Sequence, residues 1–292
     1  HARQAPPRAW VIATYAYPQR DRVAAIQPLA DYLGLRARHP VQVRLFDSPT
    51  ALVDALRRGE VDVAVPNLHG YLQARRASEP LTTLPVPQVP ALQADRYRAV
   101  LVGRQGLEAP GELERQARTL RLVLVGRDSA SGGFVPVREL RRRGLAPDAA
   151  FAHLAYAGSH AAALEAVASG RADVAALAAD VYDASRPTGV VEVWRSQPIP
   201  PGPLLCRPAA DVPCQQFTAW LLEAHDEAPA VMAALRAGWP EFGDAQRFTV
   251  PERIAADGSV LLALDEAAVH TAACQMRDAG VESVAVDGST IT

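Results

Sequence analysis

The chain contains no lysine. All 30 of its basic side chains are arginine, set against 32 carboxylates for a formal net charge of −2. In a sequence this rich in alanine, that one-sidedness reads as coding bias and carries no functional information. A near-neutral balance without a concentrated basic stripe argues against a nucleic-acid surface. No run approaches the roughly 20 apolar residues needed to cross a bilayer. Cysteine is scarce, and Cys206, Cys214 and Cys274 fit neither a zinc pattern nor a disulfide framework. They read as ordinary core residues, with one bridge and a leftover thiol as the alternative. No nucleophile elbow, HExxH or Walker loop is present, and the carboxylates Asp180 and Asp183 make only a commonplace pair. Catalysis, metal binding and a cofactor are therefore not expected.

What is present is an internal repeat. ALVDALRRGEVDVAV (51–65) matches AALEAVASGRADVAA (162–176) at an offset of 111 residues. Leu56 falls on Val167, Gly59 on Gly170, and Asp62-Val63-Ala64 on Asp173-Val174-Ala175. That period is too long for a solenoid. It implies two lobes sharing one unit: a helix, a glycine stop and a short buried strand. The offset continues outward, placing Ser48 on Ser159 as helix caps and Tyr71 on Tyr182. WVIATYAY (10–17) and VQVRLF (41–46) read as strands, and Val23, Ile26, Ala30 and Leu33 as the stripe of the helix between them. RYRAVLVG (96–103) and PIPPGPLLCRP (198–208) read as two crossings between lobes, the second followed by a helical FTAWLLEAHDEA. The expected fold is α/β, two-lobed and hinged. Lobe one comprises residues 1–102 and 204–245, lobe two 103–203, and 246–292 form a C-terminal appendage.

GRDSASGGFVPVREL (126–140) sets Ser129, Ser131, Gly132 and Gly133 between a strand-like LRLVLVG and an apolar–basic helical pattern. The first amides of a helix lack intrahelical partners, and its dipole favours negative charge there. Hydroxyls and unhindered amides at such a turn suit an anion. The alternative is a capped helix with glycine used for turn geometry. Ligands of open α/β sheets sit beyond the carboxyl ends of the strands. Polar residues collect at several such ends: Tyr15, Ser48, Asn67, His69, Ser129 to Gly132, Ser159, His160, Asp180 and Tyr182.

In order along the chain, PLADYLG (28–34), ALRRGEVDVA (55–64), DSASGG (128–133), GSHAAALEAVASGRADVAA (158–176) and SQPIPPGPL (196–204) resemble the phosphate/phosphite/phosphonate-binding proteins of bacterial ABC importers. The resemblance runs from about residue 9 to 245. It implies a type II periplasmic-binding-protein fold with two crossing hinge strands, and a solute-binding protein that captures a phosphorus oxyanion between its lobes. The implied partners are the importer's membrane subunits. A sensor lobe reporting an oxyanion, including an arsenite-type ligand, to a membrane kinase is the alternative. Ser129, Ser131 and the amides around Ala130 and Gly132 would hold the anion, and His160 would donate to one of its oxygens. With an ordinary pKa near 6.5, His160 would make binding depend on pH between about 5 and 8. Asn67 and His69 lie in a loop that touches ligand in relatives, although PNLHGY departs from the usual pattern. Asp180 would accept from a protonated oxyanion or an amine, or cap a helix; Tyr15 would contact ligand or fill a strand position. The implied state is a monomer in the periplasm, and the opening HARQAPPRAW is compatible with a mature exported chain.

The segment 250–286 departs from that family and resembles a part of the hydantoinase/oxoprolinase A subunits. It reads as a turn, a strand, an amphipathic helix with Ala268, Ala272 and Met276 on one side, and a final strand. It carries none of the phosphate- or metal-binding residues such an enzyme needs, so it is read as an appended packing element. An enzyme subunit is the remote alternative.

Overall fold

The structure is a computed structural model, and it describes residues 4–17, 20–75, 80–90, 93, 97–199, 201–250, 286–287 and 290–291. The chain divides into two compact units, His1–Pro90 with Pro201–Leu264, and Ala91–Pro200 with Asp265–Thr292. Unit 1 begins with β1 (Trp10–Tyr15), α1 (Arg22–Ala37), β2 (Val41–Phe46), α2 (Pro49–Arg57), β3 (Val63–Ala64) and α3 (Leu68–Arg75), followed by β4 (Thr82–Thr83) and β5 (Val86–Pro87). Unit 2 runs β6 (Ala99–Arg104), α4 (Glu112–Gln116), β7 (Arg121–Leu124), α5 (Val135–Arg142), α6 (Pro147–Ala150), β8 (His153–Tyr156), α7 (His160–Ala168), β9 (Val174–Ala178), α8 (Ala179–Ser185) and β10 (Val190–Arg195). The chain then adds β11 (Leu205–Cys206), α9 (Cys214–Glu227), α10 (Ala230–Gly238) and β12 (Phe248–Thr249) to unit 1. Val286–Asp287 and Thr290–Ile291 form a short antiparallel ladder. The helix expected within 250–286, with Ala268, Ala272 and Met276, lies outside the described residues, as does Cys274.

The two sheets repeat one plan. Unit 1 has the order β2-β1-β3-β11-β4, and unit 2 the order β10-β6-β9-β7-β8. In each, the first strand of a parallel trio lies between the second and third (β2-β1-β3 and β8-β7-β9), and an antiparallel strand borders the third (β11 on β3, β6 on β9). The two copies of the 111-residue repeat therefore sit in separate sheets. Their correspondence reaches single hydrogen bonds. Ser48 caps α2 and Ser159 caps α7 with near-identical backbone angles, each accepting from the amide three residues on at 3.1 Å. Gly59 and Gly170 both stop their helices at φ +78°, a conformation that a side chain would strain. Asp62 accepts from the amide of Val11 at 2.8 Å, and Asp173 from that of Arg121 at 2.9 Å, so each carboxylate ties its repeat to the first strand of its trio.

Several expectations are corrected. The first division falls at Pro90/Ala91 rather than 102/103, because all of β6 pairs with β9 and β10; the return falls at Pro200/Pro201 rather than 203/204. In α1, Ile26, Ala30 and Leu33 are buried as the stripe requires, but Val23 is 40% exposed, and Ala25 and Leu29 complete the buried face instead. Cys206 and Cys214 are not separate core thiols: they form a disulfide. The bridge ties β11 to the first turn of α9. Closing a nine-residue loop in the unfolded chain stabilises the fold by about 2.5 kcal/mol in the chain-entropy account.

Hydrophobic burial holds each unit by itself. In unit 1, Ile12, Leu29 and Leu33 pack with Phe217, Leu221, Leu235 and Trp239 of the returning segment. Gly238 is required there, because a Cβ at that position would collide with the Cβ of Ala25 on α1. In unit 2 the sheet is covered on both faces. One layer gathers Val100, Leu164, Val167 and Tyr182, and the other Leu101, Leu122, Leu124 and Leu140.

Candidate functional site

In unit 2 the carboxyl ends of β7, β8 and β9 feed the turn before α5, the N-terminus of α7 and the N-terminus of α8. The serine turn is built as a wide helical turn over Ala130–Phe134, capped by Ser129, whose Oγ accepts from the amide of Gly132 at 3.0 Å. The Gly132 carbonyl in turn accepts from the amide of Val125 at 2.8 Å, folding the turn back onto the end of β7. Ala130, Ser131, Gly132 and Gly133 are all buried. The capped-helix alternative thus describes Ser129 and the Gly132 amide, which satisfy each other.

Ser131 is different. It is fully buried, and its hydroxyl shares a hydrogen bond of 2.9 Å with the hydroxyl of Tyr97, 34 residues earlier. Tyr97 was not legible as a site residue: nothing local marks it, and only the β6–β9 pairing brings it there. Ala99 lies opposite Ala178 in that register, so Tyr97 stands beyond the carboxyl end of β9. The same end holds His160, whose Nδ1 accepts from the amide of Ala178 at 2.9 Å. An imidazole nitrogen that accepts from an N–H is unprotonated, so the neutral ring carries its proton on Nε2. Burial pushes the pKa of His160 down to about 4. This corrects the expectation of a titration near 6.5. The folded protein holds a neutral His160 throughout the range from pH 5 to 8.

The structure thus brings Ser129, Ala130, Ser131 and Gly132 together in one turn, with Ser131 and His160 at the same end of the sheet. It uses others differently. Ser159 spends its acceptor on the cap of α7. Asp180 is exposed in the first turn of α8, accepting from the amide of Val181. Tyr182 lies in the core with its hydroxyl donating to the carbonyl of Val190 at 3.3 Å, a packing role rather than a surface one.

In unit 1, Asn67 is buried and caps α3, its Oδ1 accepting from the amide of Gly70 at 2.7 Å. The return segment presses on that loop: a Cβ at Gly202 would come within 2.7 Å of the Asn67 carbonyl oxygen. His69 lies half-buried in the first turn of α3. Tyr15 is buried at the end of β1, accepts from Trp239 Nε1 at 3.2 Å, and has its phenol pKa raised by burial. Sequence reasoning missed its neighbour. Arg22 is 3% exposed, with its guanidinium 4.7 Å from the ring centroids of Tyr15 and Tyr17 and 4.1 Å from that of Trp239. Its Nε and Nη1 have no acceptor among the described residues. Cation–π attraction offsets part of the cost of burying that charge. Unmet buried donors still cost on the order of 1–3 kcal/mol each, and apolar replacement of buried charges is often neutral or stabilising. Arg22→Met is therefore expected to leave stability unchanged or raise it by about 1 kcal/mol, read as an equal or higher urea midpoint with unchanged slope. A clear loss of stability would mean that the three rings depend on the guanidinium.

The model of the family described as "ABC transporter, phosphonate, periplasmic substrate-binding protein" matches residues 12–247. The chain belongs to this family. Its members are substrate-binding components of ABC transporters that act outside the cytoplasm, and are not enzymes. A second family model, the hydantoinase/oxoprolinase N-terminal region, matches residues 210–289. Within that stretch α9 and α10 pack into the core of unit 1, as part of the binding-protein fold. No curated protein matches the chain.

Among solved structures, the phosphonate-binding family chain is similar to XAC2383 from Xanthomonas citri bound to ATP, at 20% identity and a TM-score of 0.66 over 93% of this chain and 96% of that one. It is similar to a binding-protein component of an ABC phosphonate transporter from Pseudomonas aeruginosa, at 16% identity and TM-score 0.63 over 83% and 82%. PhnD1 from Prochlorococcus marinus in complex with methylphosphonate gives 17% identity and TM-score 0.60 over 82% and 92%. These likenesses establish the type II periplasmic-binding-protein fold. No helix among the described residues is long and apolar enough to cross a membrane.

Proposed function

We propose that this protein captures a phosphorus oxyanion, namely a phosphonate, phosphite or phosphate, and delivers it as a monomer to the membrane subunits of an ABC importer. The observation that carries the reading is the buried Ser131–Tyr97 hydroxyl pair at the end of the sheet where a neutral His160 is also held. Hydroxyls and a neutral imidazole N–H are donors without net charge. They suit an anion with several oxygens, because each oxygen accepts from a separate group while the helix N-terminus supplies a favourable potential. The likeness to PhnD1, solved with methylphosphonate, supports the ligand class. A Cys206–Cys214 bridge fits an oxidising extracytoplasmic compartment.

Calorimetry with methylphosphonate, phosphite and phosphate tests the reading. Ser131→Ala is expected to weaken binding by about 1–3 kcal/mol, the range for hydrogen bonds to charged groups. Tyr97→Phe should weaken it by a similar amount, since it removes the other member of the pair. Unaltered affinity in both variants, or no binding of any of the three anions by the parent, would sink the assignment.

A further inference from the structure

Unit 2 has a concave surface on the layer away from His160. A pocket of about 340 Å³ opens between α5, α6 and the ends of β7 and β8. It lies on the layer built from Leu122, Leu124 and Leu140, whereas His160 opens the helix whose side chains pack the opposite layer. β8 is the edge strand of this sheet, so nothing in the sheet covers its outer side. The floor is apolar, formed by Leu124, Val137 and Leu154.

The rim is charged and unevenly so. Arg127 and Arg141 stand on it with one carboxylate, Asp148. Neither guanidinium forms an ion pair among the described residues, whereas the neighbouring Arg142 and Arg143 of the same helix segment both pair with Glu139. Arg127 is held in place by Tyr156: its Nε donates to the phenol oxygen at 3.0 Å, and its guanidinium lies 5.4 Å from the ring centroid. Tyr156 is itself 42% exposed, presenting aromatic surface at the mouth of the pocket. The arrangement is an apolar slot with an exposed ring on one side and, on its rim, two guanidiniums without a carboxylate partner among the described residues, one of them steadied by that ring.

We propose that this pocket is a binding site for a small aromatic carboxylate. The volume is at the lower end of the range for small-molecule sites. A flat apolar body matches the leucine and valine floor and the ring of Tyr156. A planar carboxylate matches a guanidinium bidentately. Two arginines against one aspartate leave a single net positive charge, which suits a monoanion better than a doubly ionised phosphonate. The site is thus distinct in chemistry from the hydroxyl-lined serine turn.

1-Naphthoate is a suitable probe, titrated into the full chain while the methyl resonances of Val137 and Leu154 are followed. Saturable shifts of both are expected below about 10 mM, as for a dissociation constant in the millimolar range or tighter. Arg141→Glu, at an exposed position, should weaken naphthoate about tenfold or more, and Asp148→Asn should strengthen it severalfold. 1-Naphthylmethylamine, similar in shape but cationic, should bind at least about tenfold more weakly. Saturating methylphosphonate should change none of this, and Arg141→Glu should leave methylphosphonate affinity unaltered. The proposal is overturned if the two methyl signals stay still, if Arg141→Glu binds naphthoate as the parent does, or if the amine binds equally well. Displacement by methylphosphonate would also overturn it, while leaving the reading of the serine turn intact.

Discussion

Gly133→Ala is expected to destabilise the protein by about 4 kcal/mol and to lower oxyanion affinity by well over tenfold. A Cβ at this position would sit well under 3 Å from the carbonyl oxygen of Gly126, with the carbonyl of Arg127 close behind it. Both obstacles are backbone, so no side chain can swing aside. Relief requires the turn to open, breaking the bonds from Val125 to Gly132 and from Phe134 to Ser129. Overpacking typically costs 1–3 kcal/mol, and a clash against fixed backbone belongs at or beyond the top of that range. Ser131 rides on the same turn, so its hydroxyl would lose its place beside Tyr97. Gly126→Ala is the control: nothing lies within 4 Å of its Cβ, and its stability should stay within about 0.5 kcal/mol of the parent. Urea denaturation and calorimetry on the two variants decide the matter. A Gly133→Ala protein as stable as the parent would show that the turn is not held as described.

Stability is expected to fall by up to about 3 kcal/mol as the pH drops from about 6.5 to about 4, on account of His160 alone. The folded pKa of about 4 lies below the ordinary value because burial disfavours the imidazolium. Above pH 6.5 both states are neutral at this site, and the full stability is present. Between the two values the unfolded chain binds a proton that the folded chain refuses, so stability declines with falling pH. Below pH 4 both states are protonated and the loss is complete. The carboxylates held low by arginine, such as Glu112 at about 2, lose their contribution only from about pH 4.5 downward. The upper part of the decline therefore belongs to His160. His160→Gln, whose side-chain oxygen can still accept from the Ala178 amide, should flatten that part of the profile in a series of urea titrations. A parent profile that is already flat from pH 6.5 to 4.5 would contradict the burial argument.

This second result bears on ligand binding. A histidine held neutral supplies a constant donor, so any pH dependence of oxyanion affinity near pH 7 should follow the ligand's own ionisation rather than the imidazole. Sequence alone pointed the other way, because a pKa near 6.5 is the value of an exposed histidine. The residue type was legible, but its environment was not.

What the sequence determined by itself was everything whose cause lies within a few residues. Ser48 and Ser159 cap helices through an amide three positions on, Gly59 and Gly170 end them by adopting positive φ, and the matching Asp-Val-Ala triplets mark the third strand of each trio. Those local rules, repeated at an interval of 111 residues, were enough for two α/β sheets and for the serine turn at the end of one of them. Only the tertiary structure decided where distant segments meet. It placed Tyr97 against Ser131 through the β6–β9 register, moved the unit boundary by assigning β6 whole to the second sheet, and joined Cys206 to Cys214. It also enclosed Arg22 among rings drawn from both ends of unit 1. Hydrophobic burial is non-directional and acts between any apolar surfaces the chain can bring together. The partners of a buried hydroxyl, the fate of a thiol and the pKa of an imidazole therefore follow from packing that no local spacing records.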